Sequence, residues 1–280
     1  MDTTMTLLKK AAAAVLASTA ATSAAAGPAE NKATAVALLE QGLAKGDRKF
    51  IRANVAEDYI QHNPQAADGR EGLLGFVDFL ETLDPPVQVN PVRVFGDENF
   101  VVIHQTAEFF GPKVIIDLFR FEDGKLVEHW DAIQDEVPET ASGRSMIDGT
   151  TEITDLGKTE ANKALVTGLV IDVLMGGDLA KINSYIRADY MQHNPYVPDT
   201  RDGLKGFIAY LAENEISFGY TKLHNVVAEG NFVMTQAEGI YDGKPTAFYD
   251  LWRVEDGLIA EHWDAVQEIP TEFAHGNGMF

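Results

Sequence analysis

A short motif that could transfer protons occurs twice in this sequence. Glu-His-Trp-Asp at residues 128–131 returns at residues 261–264, each time after an acidic turn that contains an Asp-Gly pair. Side chains alternate across a β-strand, so His129 and Asp131 should project from one face and their neighbours from the other. An imidazole and a carboxylate on one face suit acid–base chemistry, and burial in an apolar pocket raises the pKa of a carboxylate towards neutrality.

The sequence offers two duplicated sets of candidate catalytic residues. We predict Asp131 and Asp264 as bases, with His62 and His193 as proton relays or donors to a developing enolate oxygen. Proton removal next to a carbonyl needs both a base and such a donor. The residues predicted to bind ligand beside them are His129, His262, Asp117, Asp250, Tyr59, Tyr190 and His104.

Each candidate also has a structural interpretation. The His-Trp-Asp run could be a hydrogen-bond cluster beneath a sheet. His62 and His193 could cap a helix before the turn at the following proline, and the two tyrosines could belong to the core. Asp117 and Asp250 face a pocket only if their strands alternate in phase with the strands beside them.

A metal site is the rival explanation for the histidines. His62, His104 and Asp131 could form a two-histidine, one-carboxylate set, but the second repeat has Gln236 where the first has His104. The sequence contains no His-x-x-x-His spacing, no cysteine, no Gly-x-Ser-x-Gly elbow and no glycine-rich phosphate loop. We therefore predict no metal and no other cofactor.

Composition limits the class of partner. The chain has 280 residues, 45% hydrophobic residues and a formal net charge of −21, so it can form two cores but lacks the basic surface that nucleic acid or an anionic membrane needs. We expect a small-molecule ligand.

The N-terminal segment resembles a secretory signal. Lys9 and Lys10 precede an apolar run at residues 11–17, and alanines at residues 24–26 form an Ala-x-Ala cleavage pattern. We predict a signal peptide over residues 1–26, cleavage after Ala26, and a periplasmic or secreted protein. No later run reaches the roughly 18 apolar residues of a membrane span, so no membrane contact is expected after cleavage.

The rest of the chain is an internal duplication. Residues 31–80 align with residues 162–211 without a gap, with 21 identities in 50 positions. Repeats of this length are domains rather than solenoid units. We predict one domain at residues 27–137, a linker rich in glycine, serine and threonine at residues 138–157, and a second domain at residues 158–280.

Both repeats place helices before strands. In the first, apolar spacing predicts a helix over residues 32–45, Asp47 can cap a second helix through Asn54, and a third follows Gly69. Strands are predicted at residues 92–95, 100–104, 114–121 and 126–134. The fold class is α+β, with two tandem cone-shaped domains, each with N-terminal helices packed on a curved antiparallel sheet.

The Tyr-x-Gln-His-Asn-Pro signature and the strand pair ending in Glu-His-Trp-Asp resemble the SnoaL-like polyketide cyclase family. That family belongs to the nuclear transport factor 2-like fold, with ketosteroid isomerase and scytalone dehydratase. The resemblance covers residues 31–134 and 162–267 and implies a conical pocket and a dimer formed through the open sheet face. We therefore expect an internal pseudo-dimer of the two repeats. In the cyclases the motif aspartate is the acid–base group of an intramolecular aldol closure, and here it corresponds to Asp131 and Asp264.

Two function classes remain open. One is a lyase or isomerase that acts on a small, partly apolar carbonyl compound without a cofactor. The other is an exported protein whose pockets bind a small ligand without turning it over, which the signal segment favours.

Overall fold

The computed structural model describes residues 27–280, so the predicted signal segment lies outside the described residues. Within that range the chain forms two similar units, each with helices followed by a five-stranded sheet. This is the predicted α+β arrangement. None of the helices in residues 27–280 has the length and apolar character needed to span a membrane.

The first two helices begin where local sequence supplies a start signal. Pro28 sits in the first turn, where the missing N–H costs nothing. The Asp47 carboxylate accepts from the backbone N–H groups of Lys49 and Phe50 at 3.0 and 3.1 Å, and so caps the second helix as predicted. The helices are α1 (Pro28–Ala37, extended by a π-helical segment, Leu38–Leu43), α2 (Arg48–Asn54), α3 (Gly69–Leu80), α4 (Thr159–Leu169, extended by a π-helical segment, Val170–Met175) and α5 (Arg201–Glu213). Short 3₁₀ segments lie at Leu156–Lys158 and Leu179–Ser184.

The strands are longer than predicted, and each sheet has one strand that the sequence did not predict. They are β1 (Val55–Gln61), β2 (Gln88–Asp97), β3 (Phe100–Glu108), β4 (Pro112–Glu122) and β5 (Lys125–Asp135), then β6 (Ile186–Gln192), β7 (Phe218–Glu229), β8 (Phe232–Tyr241), β9 (Lys244–Glu255) and β10 (Leu258–Glu268). The strand orders are β1-β5-β4-β3-β2 and β6-β10-β9-β8-β7. Because β1 and β6 pair in parallel with β5 and β10, the sheets are mixed rather than wholly antiparallel.

The two faces of each sheet have different neighbours. In the first repeat the inner face packs on the helices through a core that includes Leu38, Ile51, Leu73, Ile103 and Phe119. The outer faces of the two sheets pack against each other.

A second apolar core lies between the sheets. From the first repeat, Val102, Ile116 and Leu118 contribute to it, with Met234 and Leu251 among the residues from the second. Two cross-repeat hydrogen bonds mirror each other: Ile133 N donates to Gln267 Oε1 at 2.8 Å, and Val266 N donates to Gln134 Oε1 at 2.9 Å.

The segment that follows each sheet lies across the other repeat. Ala141, in the stretch predicted to be a linker, donates its N–H to the Pro195 carbonyl at 2.8 Å, and Ala274 in the C-terminal segment donates to Pro64 at 2.8 Å. The indole of Trp263 donates to the Asp148 carbonyl at 2.8 Å. The duplication therefore includes these two segments as well as the sheets.

Candidate active site

The strands β5 and β10 place the duplicated motif across the sheet as the alternation predicts. His129 and Asp131 face the inner, helix-covered side, and Trp130 lies in the core between the sheets. Asp131 is paired across the sheet with Asp117 on β4, which also faces inward. His262, Asp264 and Asp250 have the equivalent places in the second repeat. The sheet thus brings two carboxylates and one imidazole together twice.

The hydrogen bonds of His129 require a proton on both ring nitrogens. Nδ1 lies 2.9 Å from Gln61 Oε1, and Nε2 lies 3.1 Å from Asp117 Oδ1. The same Gln61 oxygen accepts from the backbone N–H groups of His62 and Asn63, so it is the carbonyl end of the amide. Acceptors on both sides favour the imidazolium form of His129. Burial opposes this charge, but the hydrogen bond to Asp117 and the nearby carboxylates outweigh it and raise the pKa of His129 above 6.5.

The second repeat has the same arrangement. His262 Nδ1 lies 2.9 Å from Gln192 Oε1, and Nε2 lies 3.0 Å from Asp250 Oδ1. Gln192 Oε1 again accepts two backbone N–H groups, those of His193 and Asn194. Trp252 stacks on the imidazole with ring centroids 4.0 Å apart and holds its plane.

The motif aspartates have pKa values suited to proton transfer near neutral pH. Burial raises the pKa of Asp131 to about 6 and that of Asp264 to about 6; the adjacent imidazole lowers each value, whereas the second aspartate of each cluster raises it. A carboxyl group with such a pKa can take up and return a proton without a large free-energy penalty.

The two aspartates differ in how they are held. Asn63 Nδ2 lies 3.0 and 2.7 Å from the two carboxylate oxygens of Asp131. Asn194 Nδ2 reaches only Oδ2 of Asp264, at 2.7 Å, and Oδ1 has no hydrogen-bond partner among the described residues. An unpartnered buried carboxylate oxygen is free to accept a proton or a hydrogen bond from a ligand.

The cavities above these clusters differ about tenfold in volume. The cavity of the second repeat measures about 790 Å³, and that of the first about 80 Å³. On its inward face β3 carries Ile103, Gln105 and Ala107 where β8 carries the smaller Thr235, Ala237 and Gly239, and Gln105 and Ala107 line the small cavity. A cavity of 790 Å³ lies in the range of small-molecule sites, whereas 80 Å³ does not.

The two predicted tyrosines line the cavities. Tyr59 and Tyr190 are both buried, and burial raises the pKa of each well above 10. The Tyr190 hydroxyl accepts from Gln192 Nε2 at 3.2 Å, which leaves its own hydrogen available to a ligand.

Sequence reasoning missed five residues that build the site. Four of them, Gln61, Asn63, Gln192 and Asn194, lie in the duplicated Tyr-x-Gln-His-Asn-Pro signature beside the predicted histidines. Tyr220 donates to both oxygens of Asp250, at 3.0 and 3.1 Å, where the first repeat uses Gln105 on Asp117 at 2.7 Å. Tyr220 lies on β7, outside the stretch in which the two repeats align without a gap, so the duplication does not point to it.

The structure corrects the prediction for His62 and His193, which lie on the opposite side of the sheet from the cavities. His62 stacks on Trp130 with centroids 4.9 Å apart and hydrogen-bonds Glu128 at 2.9 Å. His193 stacks on Trp263 at 4.8 Å and bonds Glu261 at 3.0 Å. Both follow an inward-facing glutamine at the end of an edge strand, so alternation turns them outward.

The ligand-binding prediction for His104 is also wrong. His104 is fully buried in contact with Arg93, 3.2 Å from Nη1, and edge-on to Trp263 between the sheets. Burial and the neighbouring guanidinium lower its pKa well below 6.5, so it is neutral.

The metal set considered from sequence, with His62 and His104, is therefore not assembled. Each inner cluster does place two carboxylate oxygens and one ring nitrogen within 4.8 Å of one another, at Asp117, His129 and Asp131 and at Asp250, His262 and Asp264. A cation bound there would have to displace the proton that His129 or His262 shares with its aspartate.

Comparison with known proteins identifies one family. The SnoaL-like domain model matches residues 35–129 and again residues 169–262. A search of curated proteins found no significant match.

Solved structures align with one repeat at a time. A candidate polyketide cyclase, IdmH of Streptomyces antibioticus, is 21% identical, covers 37% of this chain and 91% of its own, and has a TM-score of 0.33. An epoxide hydrolase of the LEH-like type from M. tuberculosis is 16% identical, with coverage of 38% and 84% and a TM-score of 0.34. A candidate ketosteroid isomerase from Kribbella flavida DSM 17836 is 16% identical, with coverage of 40% and 82% and a TM-score of 0.33.

Proposed function

The chain belongs to the SnoaL-like domain family, and from that premise we propose that its second repeat binds a small carbonyl compound and catalyses a proton-transfer reaction on it. The reaction class is isomerisation or aldol-type carbon–carbon bond formation or cleavage, without a cofactor. Asp264 is the base, and the first repeat is the scaffold against which the second folds. Family membership supports the fold, whereas the reaction class is inferred from the residues of the site.

The observation that carries this proposal is the free Oδ1 of Asp264 beneath a 790 Å³ cavity. A ketone bound with its α-carbon at this oxygen would lose a proton to the carboxylate. The electron pair left behind delocalises onto the carbonyl oxygen, which becomes an enolate. The Tyr190 hydroxyl is the proposed hydrogen-bond donor to that oxygen, since burial keeps it protonated.

His262 has a supporting role. Its ring lowers the pKa of Asp264 and so stabilises the carboxylate before the reaction. Asp250 and Gln192 hydrogen-bond to its two ring nitrogens, so the ring is held in place and is not the group that takes the substrate proton. The proton taken by Asp264 returns to another carbon in an isomerisation, or to an alkoxide in an aldol closure, and the enzyme is regenerated.

The first repeat is less suited to this chemistry. Its cavity of about 80 Å³ has room for water but not for a ketone with a ring, and Asn63 contacts both oxygens of Asp131. Packing between the sheets supports the further proposal that the repeats act as an internal pseudo-dimer.

Hydrogen–deuterium exchange tests the chemistry without knowledge of the natural substrate. Acetonaphthone and tetralone, two uncharged aromatic ketones, are incubated with the protein in D₂O, and loss of the α-protons is followed by NMR. We expect exchange above the buffer rate for at least one ketone, and loss of that excess with Asp264→Asn. A ketone that binds in the cavity without faster exchange would instead support a ligand-binding protein with no turnover.

We also propose that the protein is exported to the periplasm or secreted, on the basis of the charged, apolar and small-residue pattern of residues 1–26. Intact-mass analysis of the exported material should give a chain that begins at Gly27. A mature protein that retains Lys9 and Lys10 would contradict it.

A further inference from the structure

We propose that the first repeat forms the outer wall of the second repeat's cavity, and that the ligand held there is uncharged and apolar, with its far end against Phe110. The inference rests on the proposed function only in placing the ligand in the second repeat. It names a specificity-determining residue on a domain that does not carry the reacting aspartate.

Residues of both repeats line the large cavity. Its lining includes Asp264, His262 and Tyr190 of the second repeat, and residues of the first repeat from the turn after β1 and from the β3–β4 hairpin. The first-repeat residues are Asn63, Pro64, Gln65, Phe109, Phe110 and Lys113, followed by the end of β5 from Ile133 to Asp135 and by Val137. A ligand that fills the cavity therefore contacts both domains.

Phe110 has an unfavourable conformation for its residue type. Its φ is +53°, in the left-handed region where a bulky side chain is a clear outlier, and 66% of its surface is exposed. At the same hairpin position the second repeat has Asp242, a residue type that tolerates this backbone, with φ of +50°. Local folding therefore favours Asp or Asn here, and a strained residue of this kind points to a role in binding.

Neighbouring aromatic rings extend the Phe110 surface. Phe109 lies 4.8 Å and Phe79 6.2 Å from its ring, measured between centroids. Phe109 lines both cavities, so the hairpin that carries Phe110 is anchored against the body of the first repeat. The three rings together form an apolar surface, and two of them, Phe109 and Phe110, line the large cavity.

Charge at the cavity selects against anionic ligands. Among the described lining residues are five carboxylates, at Asp135, Asp242, Asp250, Asp264 and Glu268, against two lysines and His262. All three basic groups are already paired, Lys113 with Asp135, Lys244 with Glu268 and His262 with Asp250. A ligand with a carboxylate, sulfonate or phosphate would enter against this field without a free cation to receive it. The chemical class that remains is an uncharged apolar compound.

Two fluorescent probes that differ by one charge test this inference directly. N-phenyl-naphthylamine is uncharged, and anilinonaphthalene sulfonate is the same skeleton with a sulfonate. Their affinities are measured by fluorescence titration against wild type, Phe110→Asn and a control, Leu156→Asn. Leu156 is 65% exposed and does not line either cavity, so the control removes a comparable exposed apolar side chain elsewhere.

We expect the uncharged probe to bind wild type at least tenfold more tightly than the sulfonate. Phe110→Asn should weaken binding of the uncharged probe at least fivefold without lowering the melting temperature, because asparagine suits the left-handed backbone; Leu156→Asn should change binding less than twofold. Equal affinity for both probes, or unchanged binding in Phe110→Asn, would overturn the inference. If Phe110→Asn weakens binding but Asp264→Asn leaves α-proton exchange unchanged, the acid–base proposal fails, whereas the proposed role of Phe110 in ligand binding is supported.

Discussion

Asp264 and Asn194 share a single hydrogen bond, from Asn194 Nδ2 to Oδ2 of the carboxylate at 2.7 Å. In the first repeat the equivalent Asn63 contacts both oxygens of Asp131. The same residue pair thus has a closed form in the first repeat, with both carboxylate oxygens bonded, and an open form in the second, with one oxygen unbonded. The open form lies under the large cavity, and that coincidence is the basis for assigning the chemistry to the second repeat.

The first prediction concerns the pH dependence of exchange. A base works in its ionised form, and the pKa of Asp264 is raised to about 6 by burial. The α-proton exchange rate at low ketone concentration should therefore rise between pH 5 and 7 and level off above. A rate that falls over this pH range would exclude a carboxylate base. As a control, the pH profile of the exchange rate in Asp131→Asn should match that of wild type.

The second prediction concerns stability. An aspartate whose pKa is higher in the folded protein destabilises the fold when ionised, so this cost is absent below pH 3.8 and fully present above about pH 6. A change from 3.8 to about 6 corresponds to about 3 kcal/mol. Asp264→Asn should therefore gain stability relative to wild type as the pH rises from 4 to 7, measured by urea unfolding.

Asp131→Asn serves as the companion variant, since burial also raises the pKa of Asp131 to about 6. Both variants should gain stability relative to wild type as the pH rises from 4 to 7. A difference in unfolding free energy that does not vary with pH would mean that these aspartates are ionised at no cost, and would contradict the described burial.

The third prediction concerns the glutamine beneath the imidazole. Gln192 Oε1 accepts hydrogen bonds from His193 N, Asn194 N and His262 Nδ1. Gln192→Met removes that acceptor and leaves buried donors unpaired, which typically costs about 1–3 kcal/mol for each such group. We expect a lower melting temperature and slower exchange. Gln65→Met, at an exposed glutamine near the same turn of the first repeat, should stay within about 0.5 kcal/mol of wild type.

Much of this fold could be predicted because local pattern and duplication point the same way. Helical spacing before the sheet, the Asp47 cap and the acidic turns all recur in the structure. That His129 and Asp131 share one face of β5 follows from the period of a strand alone.

The direction of His62 could not be predicted in that way. It depends on β1, a short strand with polar residues that forms only by pairing in parallel with β5. Where Gln61 ends the strand facing inward, His62 must turn towards Trp130. The sequence places the histidine beside the motif, but the strand pairing decides which face of the sheet it occupies.

The difference between the cavities was also beyond sequence reasoning. The 21 identities in 50 positions suggest two equal pockets. Only the register of β3 and β8 shows that the differences at Ile103 and Thr235, and at Gln105 and Ala237, fall on the inward face. Tyr220, which replaces Gln105 as the partner of the second aspartate, comes from a different strand.

The most direct test of the account is α-proton exchange of an uncharged aromatic ketone by two single variants, Asp264→Asn and Asp131→Asn, measured side by side at pH 7.5. General acid–base groups contribute about 10²–10⁴-fold to rate. We predict that Asp264→Asn slows exchange by at least about 100-fold while Asp131→Asn retains the wild-type rate. Equal losses in both variants, or a loss confined to Asp131→Asn, would contradict the assignment of the chemistry to the second repeat.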